Sequence, residues 1–125
     1  MPESPATPGH PGPGSPAAAD AKLVTLARAA LARTGSVEAA AVRDRTGRTY
    51  VATTVSLPSL KLAALEGAVA AAVSSGAEGI EAAAVVRSGS GPVEGIEAVR
   101  DLGSAPEPAP VLVADPKGRL REVLR

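Results

Sequence analysis

Apolar positions recur along this chain in blocks, and the period changes from one block to the next. Leu23, Leu26, Ala27, Ala30 and Leu31 return at helical spacing, with Lys22, Arg28 and Arg33 mostly elsewhere on the wheel. They predict a first helix over residues 21–33, with Asp20 as its N-cap and Thr34-Gly35 as its stop. Residues 37–43 are largely apolar and read as a strand; Asp44-Arg45-Thr46-Gly47 is a turn. Residues 48–55, rich in Thr, Tyr and Val, read as the returning strand of a hairpin. Leu57-Pro58-Ser59 interrupts that strand, and Ser59 is expected to cap a helix over 60–75 that Gly76 ends. This helix is apolar nearly all round, the pattern of a buried helix. Residues 80–86 have the length of a buried strand, and 88–92 form a Gly-Ser-Pro loop. Val93, Ile96, Val99 and Leu102 predict a short third helix, followed by a Pro-rich connection over 104–110. Residues 111–114 form a strand, Asp115-Pro116-Lys117-Gly118 a type I turn, and 120–124 a last strand or helical turn.

Strands alternating with helices after an opening hairpin predict an α/β protein: a three-layer α/β/α sandwich around a mixed sheet. Residues 1–19 are Pro, Gly, Ala and Ser with almost no large apolar side chain, and read as a disordered tail. Residues 20–125 form the folded domain, one compact unit.

Composition narrows the chemistry. Tyr50 is the sole aromatic residue, so the core is built from Ala, Val, Leu and Ile. Small side chains bury little area each, which favours association of protomers. Thirteen basic residues balance thirteen acidic ones, so no net field attracts nucleic acid or an anionic membrane. The missing aromatics also remove the stacking platform that bases need. There is no cysteine, which excludes disulfides, thiolate metal sites and thiol nucleophiles together. His10, the one histidine, lies in the tail, so a Ser-His-Asp arrangement in the folded part is ruled out. The N-terminus shows no basic region followed by an apolar run, and no apolar stretch is long enough to span a bilayer. The expectation is a cytoplasmic protein.

Several strings resemble the cytidine deaminase family. AAAVRDRTGRTYV (39–51) resembles its first hairpin, LAALEGAVAAAVSSG (62–76) its first metal-bearing helix, and the segment from Pro92 to Leu102 the start of its second. The strand 111–114 with its Asp-x-x-Gly turn resembles the family's fourth strand. The likeness covers most of 20–125 and supports the cytidine-deaminase-like three-layer fold. In that family one His or Cys and two further Cys hold Zn²⁺, and a Glu moves the proton of the metal-bound water. The resemblance puts the first ligand at Ala63, the catalytic Glu at Leu65, and the other two ligands at Val93 and Ile96. None of the four can donate a lone pair or carry a proton. Zinc, expected for the family, therefore lacks its ligands here, and no cofactor is expected. Glu66, beside Leu65, points about 100° away on a helix and is a weak substitute. The family's ribose-binding Asn-x-Glu falls on Ala52 and Thr54, or with a two-residue gap on Thr54 and Ser56. Thr54 and Ser56 are the candidate substrate-binding residues, with Tyr50 as the stacking candidate.

Other chemistry is weaker. Glu94, Glu97 and Asp101 share one helix beside Arg100 and read as a solvated face. Gly89-x-Gly91 lacks the Lys and helix start of a phosphate loop. Lys117, Arg119, Arg121 and Arg125 form a mildly basic, solvated end. The functional expectation is a catalytically silent cytidine-deaminase-like domain acting through oligomerisation, as a dimer or tetramer like the family, or through protein or ligand contacts. Two alternatives stand beside it: cytidine deamination by an unidentified route, and a module that binds a nucleoside without reacting.

Overall fold

The computed structural model describes residues 16–103 and 107–125. Its elements in order are α1 (Pro16–Thr34), β1 (Glu38–Asp44), β2 (Thr49–Thr53), β3 (Val55–Leu57), β4 (Leu60–Leu62), α2 (Ala64–Ser74), β5 (Ile80–Arg87), α3 (Ile96–Asp101), β6 (Val111–Ala114) and β7 (Leu120–Leu124). Five strands form one sheet in the order β2-β1-β5-β6-β7. β5 and β6 run parallel, because the chain crosses over through α3 between them; the other pairs are antiparallel. The sheet is mixed and helices cover both faces, as the alternation of elements requires.

The core follows from side-chain alternation along the strands. On one face Ala39, Ala41, Ala82, Ala84 and Val86 meet Leu23, Ala27 and Ala30 of α1. On the other, Ala40, Val42, Ala83, Val85 and Val111 meet Ala64, Leu65, Ala68, Val69 and Ala72 of α2. Both faces of β1 and β5 are covered, so these strands read as continuous apolar runs. Alanines at the contacts let the helices approach the sheet closely.

The structure differs from the sequence reading at several points, among them the start of α3 at Ile96 and not at Val93. Helix α1 starts at Pro16, so 16–19 belong to the helix and Asp20 is inside it, paired with Arg43 at 3.0 Å instead of capping. Proline suits the first turn of a helix because its missing N–H has no helical partner there. Residues 1–15, with His10, lie outside the described residues, as does 104–106 of the Pro-rich connection. Leu57-Pro58-Ser59-Leu60 is the tight turn of a small hairpin, β3 with β4, and not a helix start. The helix begins only at Ala64. Helix α2 is buried on one side; Ala70 and Val73 on its outer side are exposed. Residues 120–124 are a strand, at the edge of the sheet opposite β2.

Candidate functional site

The first turns of α2 and α3 face each other on one side of the sheet, and the local sequence explains how each is held. Ala63 is the N-cap of α2 and has no side-chain acceptor to cap with. Glu66 takes over: its carboxylate oxygen Oε1 accepts the Ala63 N–H at 2.8 Å. This is the back-reaching half of a capping box, and it places an acid near the positive end of the helix. Glu38 accepts the next amide, that of Ala64, through its Oε1 at 3.4 Å.

Helix α3 is entered through Gly95, which has φ +96°, a conformation that L side chains rarely adopt. A Cβ at Gly95 would stand 3.0 Å from the Leu65 Cβ and 3.1 Å from the Glu66 backbone nitrogen. The two helix starts therefore touch, with glycine at the contact. Arg87, at the end of β5, anchors the loop that leads into α3. Its guanidinium donates through Nη1 to the Pro92 carbonyl at 3.2 Å and through Nη2 to the Gly91 carbonyl. Nη1 also lies 3.7 Å from Oε2 of Glu38, its cross-strand partner in the β1–β5 register.

The four aliphatic positions lie around the starts of two helices, Ala63 and Leu65 at that of α2, Val93 just before α3 and Ile96 at its first residue. Leu65 is fully buried, and Val93 and Ile96 pack on the same core cluster. Ala63, also buried, shares two cavity walls with Glu94, the neighbour of Val93. One of these cavities, of 220 Å³, is lined by Thr54 and Ser56 with Lys61, Glu66 and Glu94. The other, of 360 Å³, is bordered by Glu38, Thr54 and Arg87. Thr54 and Ser56 thus do reach this place.

Tyr50 does not. It lies toward the opposite end of β2, beside the C-terminal end of α2, in a separate 370 Å³ pocket with Arg45, Arg48 and Gly76. Its hydroxyl donates to Asp44 Oδ2 at 3.0 Å. Tyr50 faces there because it stands opposite Val42, while Thr53 stands opposite Ala39 at the other end of the strand pair. Burial alone would raise the Asp44 carboxyl; hydrogen bonds from Thr46, Arg48 and Tyr50 outweigh that and hold it below the ordinary carboxylate value.

Glu38, Lys61 and Arg87 border the site although the sequence pattern singled out none of them. Glu38 and Arg87 are charges at the ends of strands that are otherwise largely apolar, a signal that becomes legible only once β1 and β5 are paired in register. Glu94, Glu97 and Asp101 are all exposed, but α3 begins only at Ile96, so Glu94 lies in the turn before the helix and not on one face with the other two; of the three it alone borders the cavities. Gly89 and Gly91 belong to the loop that Arg87 holds; the Gly89 carbonyl accepts from Arg121 at 2.9 Å.

Zinc requires sulfur, imidazole or carboxylate donors in close array. The positions that the resemblance assigns as ligands carry aliphatic side chains. The carboxylates at hand are Glu66, tied to the Ala63 amide, Glu38, held between the Ala64 amide and Arg87, and the exposed Glu94. Among the described residues no group of three or more His, Cys, Asp or Glu could hold a metal ion. The residues at this site do not fit the ion.

A five-stranded mixed sheet between one helix and two, with the two helices meeting at their N-termini, defines the class as a three-layer α/β/α protein. The chain belongs to the cytidine deaminase-like family, whose model matches residues 16–118. Its structure is similar to cytidine deaminase from Burkholderia pseudomallei, with a TM-score of 0.63 and 23% identity over 82% of this chain and 89% of that one. It is also similar to cytidine deaminase from Mycobacterium leprae, with a TM-score of 0.59 and 18% identity over 80% of this chain and 89% of the other. At these identities the likeness establishes the fold. No curated protein matches the sequence. Among the described residues no helix is long and apolar enough to cross a membrane.

Proposed function

We propose that this chain is a catalytically silent member of the cytidine deaminase-like family that acts through ligand or protein contacts. The observation that carries this reading is the meeting of α2 and α3. Leu65, at the position assigned to the catalytic Glu, is fully buried against Gly95. Ala63, Val93 and Ile96, the positions that the resemblance assigns to the metal ligands, carry aliphatic side chains at or just before the starts of the same two helices. Aliphatic carbon offers neither a ligand for zinc nor a proton carrier for water attack. Packing these groups together replaces costly burial of polar groups by ordinary core.

The test is metal analysis of the purified full chain after zinc loading and dialysis, combined with ammonia release from cytidine. We expect far less than one zinc per chain and no turnover. Stoichiometric zinc with turnover that a chelator abolishes overturns the reading and favours the deaminase alternative.

One observation favours a second reading, a nucleoside-binding module that does not react. Thr54 and Ser56 line a cavity beside Ala63, together with Lys61, Glu66 and Glu94. Such groups can hydrogen-bond sugar hydroxyls. Calorimetric titration with cytidine and uridine separates the two: saturable heat supports a binder, and a flat response leaves protein contacts. For a homo-oligomeric role, the exposed Ala70 and Val73 of α2, with Leu57 and Leu60 at the hairpin tip, are the apolar groups on offer. Sedimentation of the purified chain tests it; a monomer at all concentrations refutes it.

A further inference from the structure

On the face of the sheet away from α2 and α3, the geometry points to a second binding site, for a small carboxylate with a short apolar body. Helix α1 packs on β2, β1 and β5 and only grazes β6, so the far side of this face is left uncovered. The gap between α1 and β6–β7 is a cavity of 430 Å³, within the range of about 300–1,000 Å³ that small-molecule sites occupy. Its floor is apolar: Val24 of α1, Leu112 of β6 and Leu120 of β7, the last 55% exposed. Val123, cross-strand from Leu112 and 36% exposed, continues the same surface.

The rim selects the head group. Arg28 and Lys117 stand on the cavity wall. Arg28 donates through Nε to the Pro116 carbonyl at 3.0 Å, which fixes the guanidinium beside the turn. Its two terminal nitrogens, and the Lys117 ammonium, have no hydrogen-bond or ion-pair partner among the described residues. Asp20 is the one acid on the wall, and its carboxylate is already paired with Arg43 at 3.0 Å. Two uncompensated cations above an aliphatic floor suit a carboxylate, which the planar guanidinium grips in bidentate fashion. An alcohol would leave the cations unused, and an amine would be repelled.

The test is titration of the full, isotopically labelled chain with octanoate, 1-octanol and octylamine, followed by amide chemical shifts. The expected result is saturable shifts confined to Val24–Arg28, Leu112 and Gly118–Leu120, with octanoate at least about tenfold tighter than octanol. The double variant Arg28→Gln/Lys117→Gln, at two exposed positions, should bring octanoate down to the affinity of octanol and leave octanol unchanged. Equal binding of octanoate and octanol overturns the proposal, as do absence of saturation and shifts elsewhere in the sheet. Binding that arises only after removal of residues 1–15 also overturns it, because the occupant would then be this chain's own N-terminal segment.

Discussion

Gly95 stands against Leu65, so close that a methyl group on the glycine would come within 3.0 Å of the leucine Cβ. The contact joins the starts of two helices, and both sides of it are constrained. Gly95 has φ +96°, and its neighbours are a fully buried side chain and the α2 backbone. Gly95→Ala is therefore expected to lose about 2–4 kcal/mol, from overpacking and from a left-handed backbone together. Denaturant unfolding measures this; a loss under about 0.5 kcal/mol, the scale of a neutral surface change, contradicts the contact.

Leu65 is expected to behave as core. Leu65→Ala should cost about 2–5 kcal/mol. Restoring donors gives a sharper check on the assigned positions. The fourfold variant Ala63→Cys/Leu65→Glu/Val93→Cys/Ile96→Cys should bind zinc at one ion per chain, read by metal analysis and by a sulfur-rich coordination shell in X-ray absorption. Failure of a folded variant to retain zinc would mean that the three thiols do not converge.

The Glu38–Arg87 pair is shielded, with side chains 14% and 11% exposed. Arg87→Met leaves Glu38 with only the Ala64 amide and releases the Gly91 and Pro92 carbonyls. Breaking a buried pair on one side costs about 3 kcal/mol or more. The expected signature is local: faster amide exchange over 88–95 as well as a lower melting temperature. The double change Glu38→Gln/Arg87→Met should be less harmful than Arg87→Met alone, since no unpaired acid remains.

Asp44 supplies a pH dependence whose sign is fixed. Its folded pKa lies below the ordinary value of 3.8, since hydrogen bonds from Thr46, Arg48 and Tyr50 prevail over burial. A depressed carboxyl stabilises the fold above the unfolded pKa, and that contribution is lost as pH falls through the folded pKa. Unfolding from pH 6 to pH 2 should show stability declining below pH 3.8, with a shallower decline in Asp44→Asn. Tyr50→Phe removes one of the donors and should move the Asp44 titration, followed by carboxyl NMR, back up toward the ordinary value.

The strand at 111–114 and the turns at Gly47 and Gly118 are legible in the sequence, since each rests on local chemistry. The hairpin at 57–60 is not legible there: Pro58-Ser59 serves equally as a helix opening and as a turn, and only the pairing of Val55 with Leu62 decides. Tyr50 is the stacking candidate only because it is the sole aromatic residue, and composition carries no position. Along an extended strand four residues span about 13 Å, and the structure sends Tyr50 and Thr54 to different cavities.

The α/β class, the alternating small-residue core and the aliphatic character of Ala63, Leu65, Val93 and Ile96 are written in the chain, because periodicity and side-chain chemistry are local properties. That Gly95 packs on Leu65, that Glu38 faces Arg87, and that a cationic rim overhangs an apolar floor beside α1 are matters of tertiary structure. Those relations depend on strand register and helix packing between segments far apart in the chain, and no local pattern encodes them.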